Sequence, residues 1–224
     1  MPRSSIRSTV RRAWFHLLAV PDTPDRTRLW AEVHRSHPPF LQAVAADARI
    51  TAGRRGERRP TRGRLDTTLQ VLRLALQTES FFGQICYRGK ASLQARHVPV
   101  LPRLLHHLAV SHGQIVIGDP VVVEAGVFIP HGQVCIDGVS RIGRGSTISP
   151  FTSIGLRSGD FEGPTIGRHV EVGTGTRILG PWVIGDGTKI GANAVVTGDL
   201  PADVIAMGIP ARIRPAGAVD VAAP

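Results

Sequence analysis

A six-residue phase across the second half of the chain constrains this sequence more than any other feature. Aliphatic residues stand at Ile117, Val123 and Ile129, then, one residue late, at Ile136, Ile142, Ile148 and Ile154. Twelve residues on they resume at Ile166, Val172, Ile178, Ile184, Ile190 and Val196. An amphipathic helix repeats near 3.6 residues and a half-buried strand near 2, so neither explains the phase. Three flat hexads per turn do explain it. Each aliphatic side chain then points inward and stacks on its equivalent 18 residues away, one strand spacing of about 4.8 Å along the axis. Glycine follows several of these residues, as in Ile142-Gly143, Ile166-Gly167 and Ile190-Gly191, and suits the backbone of a corner.

The first half follows helical spacing instead. Asp22-Thr23-Pro24 opens a helix that Pro38-Pro39 must end by His37. Phe40 to Ile50 reads as a second helix, and Gly53–Gly63 as an arginine-rich linker. Leu65, Leu69, Leu72 and Leu76 mark an amphipathic helix over 66–79, their stripe being its expected core face. Phe81–Arg96 continues as a helix despite Gly83 and Gly89, and Leu101, Leu104, Leu105 and Leu108 mark another, entered through Pro102. The fold class expected is α+β: an N-terminal α-helical domain followed by a left-handed parallel β-helix of hexapeptide repeats. The divisions are a basic leader over 1–20, the helical domain over 21–114, the β-helix over 115–205 and a tail over 206–224.

Of the net charge of +10, +9 falls in the first 65 residues. That leader has neither aromatic interleaving nor a nucleic-acid motif, so no nucleic-acid partner is expected. No run of about 18 apolar residues predicts a membrane span. Cys86 and Cys135 are the only cysteines, too few for a disulfide framework, which points to a reducing, cytoplasmic setting.

Function is expected where the phase slips. The single extra residue lies beside Pro130-His131-Gly132, and the six extra residues form the loop from Gly155 to Pro164. A regular coil has no use for either, except to push groups outward.

Helices, then hexads, then Gly208-Ile209-Pro210-Ala211-Arg212 resemble the serine O-acetyltransferases of the hexapeptide-repeat acyltransferases. The resemblance implies an acetyl-CoA-dependent enzyme in which a small hydroxylated acceptor, L-serine by family default, becomes its O-acetyl ester, as in cysteine biosynthesis. It implies a trimer, with pairing of trimers left open, and the acyl donor in the groove between subunits. His131 matches the family's general base, and neutral imidazole is suited to take a hydroxyl proton. Pro130, Arg157, Asp160 and Glu162 are the acceptor-side candidates. Gly155, Gly173, Thr174, Gly175, Gly191, Ala192 and Arg212 are the donor-side candidates, small residues allowing the pantetheine arm close approach. No metal is expected: His106, His107 and His112 do not share a helix face, and the repeats supply only His131 and His169, too few for a zinc-dependent carbonic anhydrase.

Several positions depart from the family pattern. Pro130 stands where the family commonly has aspartate, and Val116 where a second aspartate orients the imidazole. Glu162-Gly163-Pro164 replaces Arg-His-Pro. Asp119, Glu124 and Asp137 all remain open as the acid that orients His131. The competing readings are an O- or N-acyltransferase for another small acceptor (a sugar, an amino-acid derivative or a natural-product intermediate) and a non-catalytic scaffold. The family's cysteine synthase partner engages a terminal isoleucine. This chain ends Val221-Ala222-Ala223-Pro224, so no tight complex of that kind is expected.

Overall fold

The computed structural model describes residues 24–57, 63–158 and 161–214. Val33–Pro224 forms one compact unit and Met1–Glu32 another. The basic leader, residues 58–62 of the arginine-rich linker, Gly159, Asp160 and the last ten residues lie outside the described residues.

Among the described residues, five helices come first: α1 (Pro24–Ser36), α2 (Phe40–Arg54), α3 (Arg64–Gln77), α4 (Glu79–Ala95) and α5 (Leu101–Ser111). Helix α2 runs four residues past Ile50 because Thr51 and Ala52 still pack inside. Gly83 and Gly89 leave α4 unbroken: Gly83 lies against Gly113, and a Cβ there would come within 3.1 Å of it.

One expectation fails in α3. Leu65, Leu69, Leu72 and Leu76 are 73%, 56%, 56% and 90% exposed. The inward face is Leu74, fully buried, with Val71 and Ala75 beside it, packed in the cluster of Val44, Ala48 and Phe81. The helix carries two apolar faces, and the evenly spaced leucines form the one that the described residues leave exposed.

After α5 the chain passes in rotation through three sheets. Sheet I holds β1 (Ile115–Ile117), β3 (Val134–Ile136), β6 (Ser153–Gly155), β9 (Arg177–Leu179) and β12 (Val195–Val196). Sheet II holds β2 (Val122–Val123), β4 (Val139–Ile142), β7 (Glu162–Ile166) and β10 (Val183–Ile184). Sheet III holds β5 (Thr147–Ile148), β8 (Glu171–Val172), β11 (Lys189–Ile190), β13 (Ile205–Met207) and β14 (Arg212–Arg214). All pairs are parallel except β13–β14. Inside, Ile136 pairs with Ile154, Ile154 with Ile178, and Ile178 with Val196. Every aliphatic residue of the six-residue phase is at most 3% exposed. That continuous stack is the core.

Register locates both insertions. Partners are 19 residues apart in all three sheets across the first step, as Val116 and Cys135, Val122 and Arg141, Phe128 and Thr147 show. The extra residue therefore falls between Phe128 and Cys135. Partners are 24 apart across the third circuit, as in Ser153 with Arg177 and Arg141 with Thr165. The six extra residues therefore fall between Ser153 and Thr165.

Helix α4 closes the first circuit. In later circuits the carbonyl of the inward residue accepts an N–H from the circuit before it: Ile136 from Gly118, Ile142 from Glu124, and likewise Ser146 from Phe128. The first circuit has no predecessor, and unpaired buried carbonyls are costly. Side chains of α4 take that place, one for each sheet. Lys90 Nζ donates to the Ile117 carbonyl at 2.7 Å, Arg88 Nη1 to Val123, and Gln84 Nε2 to Val127 at 3.0 Å. Tyr87 Oη adds a bond to the Val121 carbonyl at 2.8 Å.

Candidate active site

His131 is exposed and sits where sheet III hands over to sheet I, four residues ahead of Cys135. Register makes Cys135, Ser153, Arg177 and Val195 successive neighbours. The residues four ahead of each are His131, Ser149, Gly173 and Gly191. They occupy one edge of the molecule, a circuit apart, so Gly173 lies roughly 10 Å and Gly191 roughly 14 Å along the axis from His131. Arg212 pairs with Met207, and Met207 packs against Gly191, so Arg212 continues the same edge at its far end. Arg212 also borders a cavity of about 440 Å³ lined with Val196, Leu200, Ala211 and Ile213.

Local chemistry fixes this edge. Buried Thr152 and Thr176 donate to the corner carbonyls of Ser149 and Gly173, both at 2.7 Å. The next residues in the corner, Thr174 and Ala192, are exposed. A Cβ on Gly173 would lie 2.7 Å from the Ala192 nitrogen. Gly175, with φ of +75°, has the Asn193 side chain packed against it. Only glycine fits there.

The His131 corner is anchored to the helices. Ser80, fully buried on α4, donates its hydroxyl to the Pro130 carbonyl at 3.2 Å. Gly132 packs under the Gly113 carbonyl, where a Cβ would stand 2.4 Å away. The three acids that sequence left open are all engaged elsewhere. Asp119 accepts from Lys90 Nζ at 2.9 Å, Glu124 from the Arg144 N–H at 3.0 Å, and Asp137 from the Gly138 N–H at 2.8 Å. Burial opposes ionisation of Asp119, but the Lys90 ammonium and hydrogen bonds from Lys90 and Gln94 hold its carboxyl below the usual range. Burial in turn lowers the Lys90 pKa.

The second insertion leaves from the opposite end of sheet I, after Gly155, whose Cβ position faces the Asp137 carbonyl at 3.2 Å. Within one chain, therefore, the two insertions flank a sheet rather than share a corner. Arg157 lays its Cδ against Gly180 beside Trp182. Glu162 is exposed and pairs with Val139. Gly163 is packed so closely that a Cβ would lie 2.0 Å from Ser140 Oγ. His169 sits at a different corner, where sheet II hands over to sheet III, over Gly145. Among the described residues, no three metal-ligating side chains converge, and no helix is long and apolar enough to cross a membrane.

Sequence reasoning missed the capping residues of α4. Their signal was present as Ser80, Gln84, Tyr87 and Arg88, polar groups at helical spacing, but a polar stripe ordinarily faces water.

A helical segment followed by hexads through three parallel sheets defines a hexapeptide-repeat transferase. Residues 163–198 match the family model described as bacterial transferase hexapeptide (six repeats). Helicobacter pylori serine acetyltransferase is 39% identical over 132 residues, covering 57% of this chain and 77% of that protein. The Synechococcus elongatus serine acetyltransferase is 34% identical over 178 residues, covering 78% and 68%. Soybean serine acetyltransferase complexed with serine superposes with a TM-score of 0.67 at 26% identity, covering 80% of this chain and 71% of that one. The chain belongs to the serine acetyltransferase family.

Proposed function

We propose that this chain transfers the acetyl group of acetyl-CoA to the hydroxyl of L-serine, with His131 as general base. The sheets form a left-handed β-helix over 115–205, carried by the helical domain of 21–114. The enzyme works as a cytoplasmic trimer whose donor groove lies along the edge where sheet III meets sheet I. One observation carries this reading: His131, Gly173, Gly191 and Arg212 share that edge in order. Arg212 at the far end meets the donor's phosphates, the glycines with Thr174 and Ala192 take the pantetheine arm, and the thioester reaches His131. Imidazole removes the serine hydroxyl proton as that oxygen attacks the thioester carbonyl. The tetrahedral oxyanion collapses, the C–S bond breaks, and the leaving thiolate recovers the proton from the imidazolium. Pro130 flanks His131 on the acceptor side. Arg157 and Glu162, from the insertion at the opposite end of sheet I, serve the acceptor site of a neighbouring subunit. Gly155, expected on the donor side, lies at that loop's base, away from this chain's donor edge.

A specific observation favours a second acceptor. No side chain fits at position 163, where the family places a histidine, because Ser140 Oγ occupies that space. A small alcohol or amine other than serine is the alternative. Thiol release from acetyl-CoA with a panel of acceptors separates the two. We expect serine turnover in the wild type, and a loss of at least about a hundred-fold in His131→Ala, as for removal of a general base. Undiminished transfer in that variant overturns the assignment, and turnover of another acceptor without serine selects the second reading.

A further inference from the structure

One residue on the His131 edge has the wrong character for its backbone. The corner column reads Gln114, Gln133, Phe151, Gly175 and Asn193, with φ of +51°, +64°, +61°, +75° and +57°. Glycine and asparagine adopt this left-handed region readily, whereas a bulky side chain there is an outlier that the surroundings must enforce. Phe151 is that outlier. Its side chain gains only partial burial in return, for the residue is 55% exposed. The Arg177 guanidinium pins the corner, donating to the Phe151 carbonyl and to the Gly175 carbonyl at 2.8 Å. An apolar ring held in a disfavoured conformation with more than half of its surface open gives this chain little packing in exchange for the strain.

Its position supplies the missing partner. Phe151 lies in the circuit between His131 and Gly173. Ser149 stands between them on that edge and Phe151 two residues further on, so a donor that runs from the glycines at 173 and 191 to the imidazole passes beside it. We propose that the Phe151 ring is an apolar platform for the end of the pantetheine arm next to the thioester, holding the reacting carbonyl beside His131. The inference rests on the reading that acetyl-CoA occupies this edge. Phe151 is then a donor-contacting residue, and strain at the corner keeps its ring turned outward.

The test pairs two substitutions. Phe151→Asn keeps a residue that tolerates the backbone and removes the platform, while Phe151→Trp keeps an aromatic face. For Phe151→Asn, loss of an aromatic contact predicts that kcat/KM for acetyl-CoA falls about five- to ten-fold, carried by KM. The calorimetric Kd for CoA should rise in step, the acceptor KM should hold, and the melting temperature should stay level or increase. Phe151→Trp should bind CoA within about two-fold of wild type. Unchanged CoA affinity in Phe151→Asn, with the wild type active, overturns the platform and leaves the edge reading intact. A lowered melting temperature in Phe151→Asn makes the ring structural and also overturns it. If the wild type itself binds no CoA, the edge reading falls and the platform with it.

Discussion

The two ends of the repeat are closed by opposite means. At the start, Lys90, Arg88 and Gln84 reach from α4 to stand in for a missing circuit of backbone N–H groups. At the end, the chain folds back on itself: β14 pairs antiparallel with β13, and the Ala211 N–H donates to the Val195 carbonyl at 2.8 Å. Both prevent an open sheet edge, which would invite pairing with other chains. They differ in what sustains them. The first closure depends on buried charge, with Arg88 bonding Asp47 through Nε at 2.9 Å and Nη2 at 3.2 Å while Asp47 accepts from the Gly126 N–H at 2.7 Å. The second depends on main chain, and all three residues of β14 are exposed.

The comparison breaks most visibly at Arg88. Arg88→Ala leaves Asp47 buried and unpaired and the Val123 and Glu124 carbonyls without their donor. Removing one member of a buried ion pair costs about 3–5 kcal/mol, so denaturant unfolding should show a large loss of stability. A loss below about 1 kcal/mol, the scale of an exposed pair, would mean that the charged closure is dispensable.

Acid should weaken the first closure as well. His37 packs edge-on against Tyr87, with ring centroids 6.2 Å apart. Burial first, then the Arg88, His34, Lys90 and Arg141 charges, lower its pKa from 6.5 to about 4. The unfolded chain therefore binds a proton near pH 6.5 that the folded one refuses until about pH 4. The associated stability is complete above 6.5 and drains away as pH falls through that window. Thermal melts from pH 7.5 to 4 should decline in the wild type and decline less in His37→Phe. Parallel curves for the two proteins would clear His37 of the effect.

How legible each closure was in sequence follows the same division. The repeat was readable because one physical requirement, an aliphatic side chain facing inward every six residues, is imposed at Ile136, Ile154 and Ile178 alike. Both insertions showed as breaks in that phase, and His131 stood at one of them. The α4 closure was hidden because Arg88 and Lys90 satisfy carbonyls 27 to 36 residues away, and nothing local distinguishes them from solvated charges. The α3 leucines misled for a related reason. Spacing reveals that an apolar face exists, not which neighbour covers it, and Leu74 rather than Leu72 turned inward. Phe151 escaped notice because its oddity lies in a backbone angle.

The smallest effect tests the second closure. Ile213 pairs with Ala206 in the fold-back strand and is 49% exposed. If backbone pairing sustains this end, its side chain matters little, and Ile213→Ser should shift unfolding by no more than about 0.5 kcal/mol. A drop comparable to that of Arg88→Ala would place the hold in side-chain packing at both ends. The contrast also bears on activity, because Arg212 sits in the same strand, next to Ile213. A closure made of main chain leaves side chains such as Arg212 available for a ligand, whereas Lys90, Arg88 and Gln84 are already committed to carbonyls. Ile213→Ser should therefore leave acetyl transfer intact even at a temperature where Arg88→Ala has lost it, a difference that activity measured along a thermal ramp resolves.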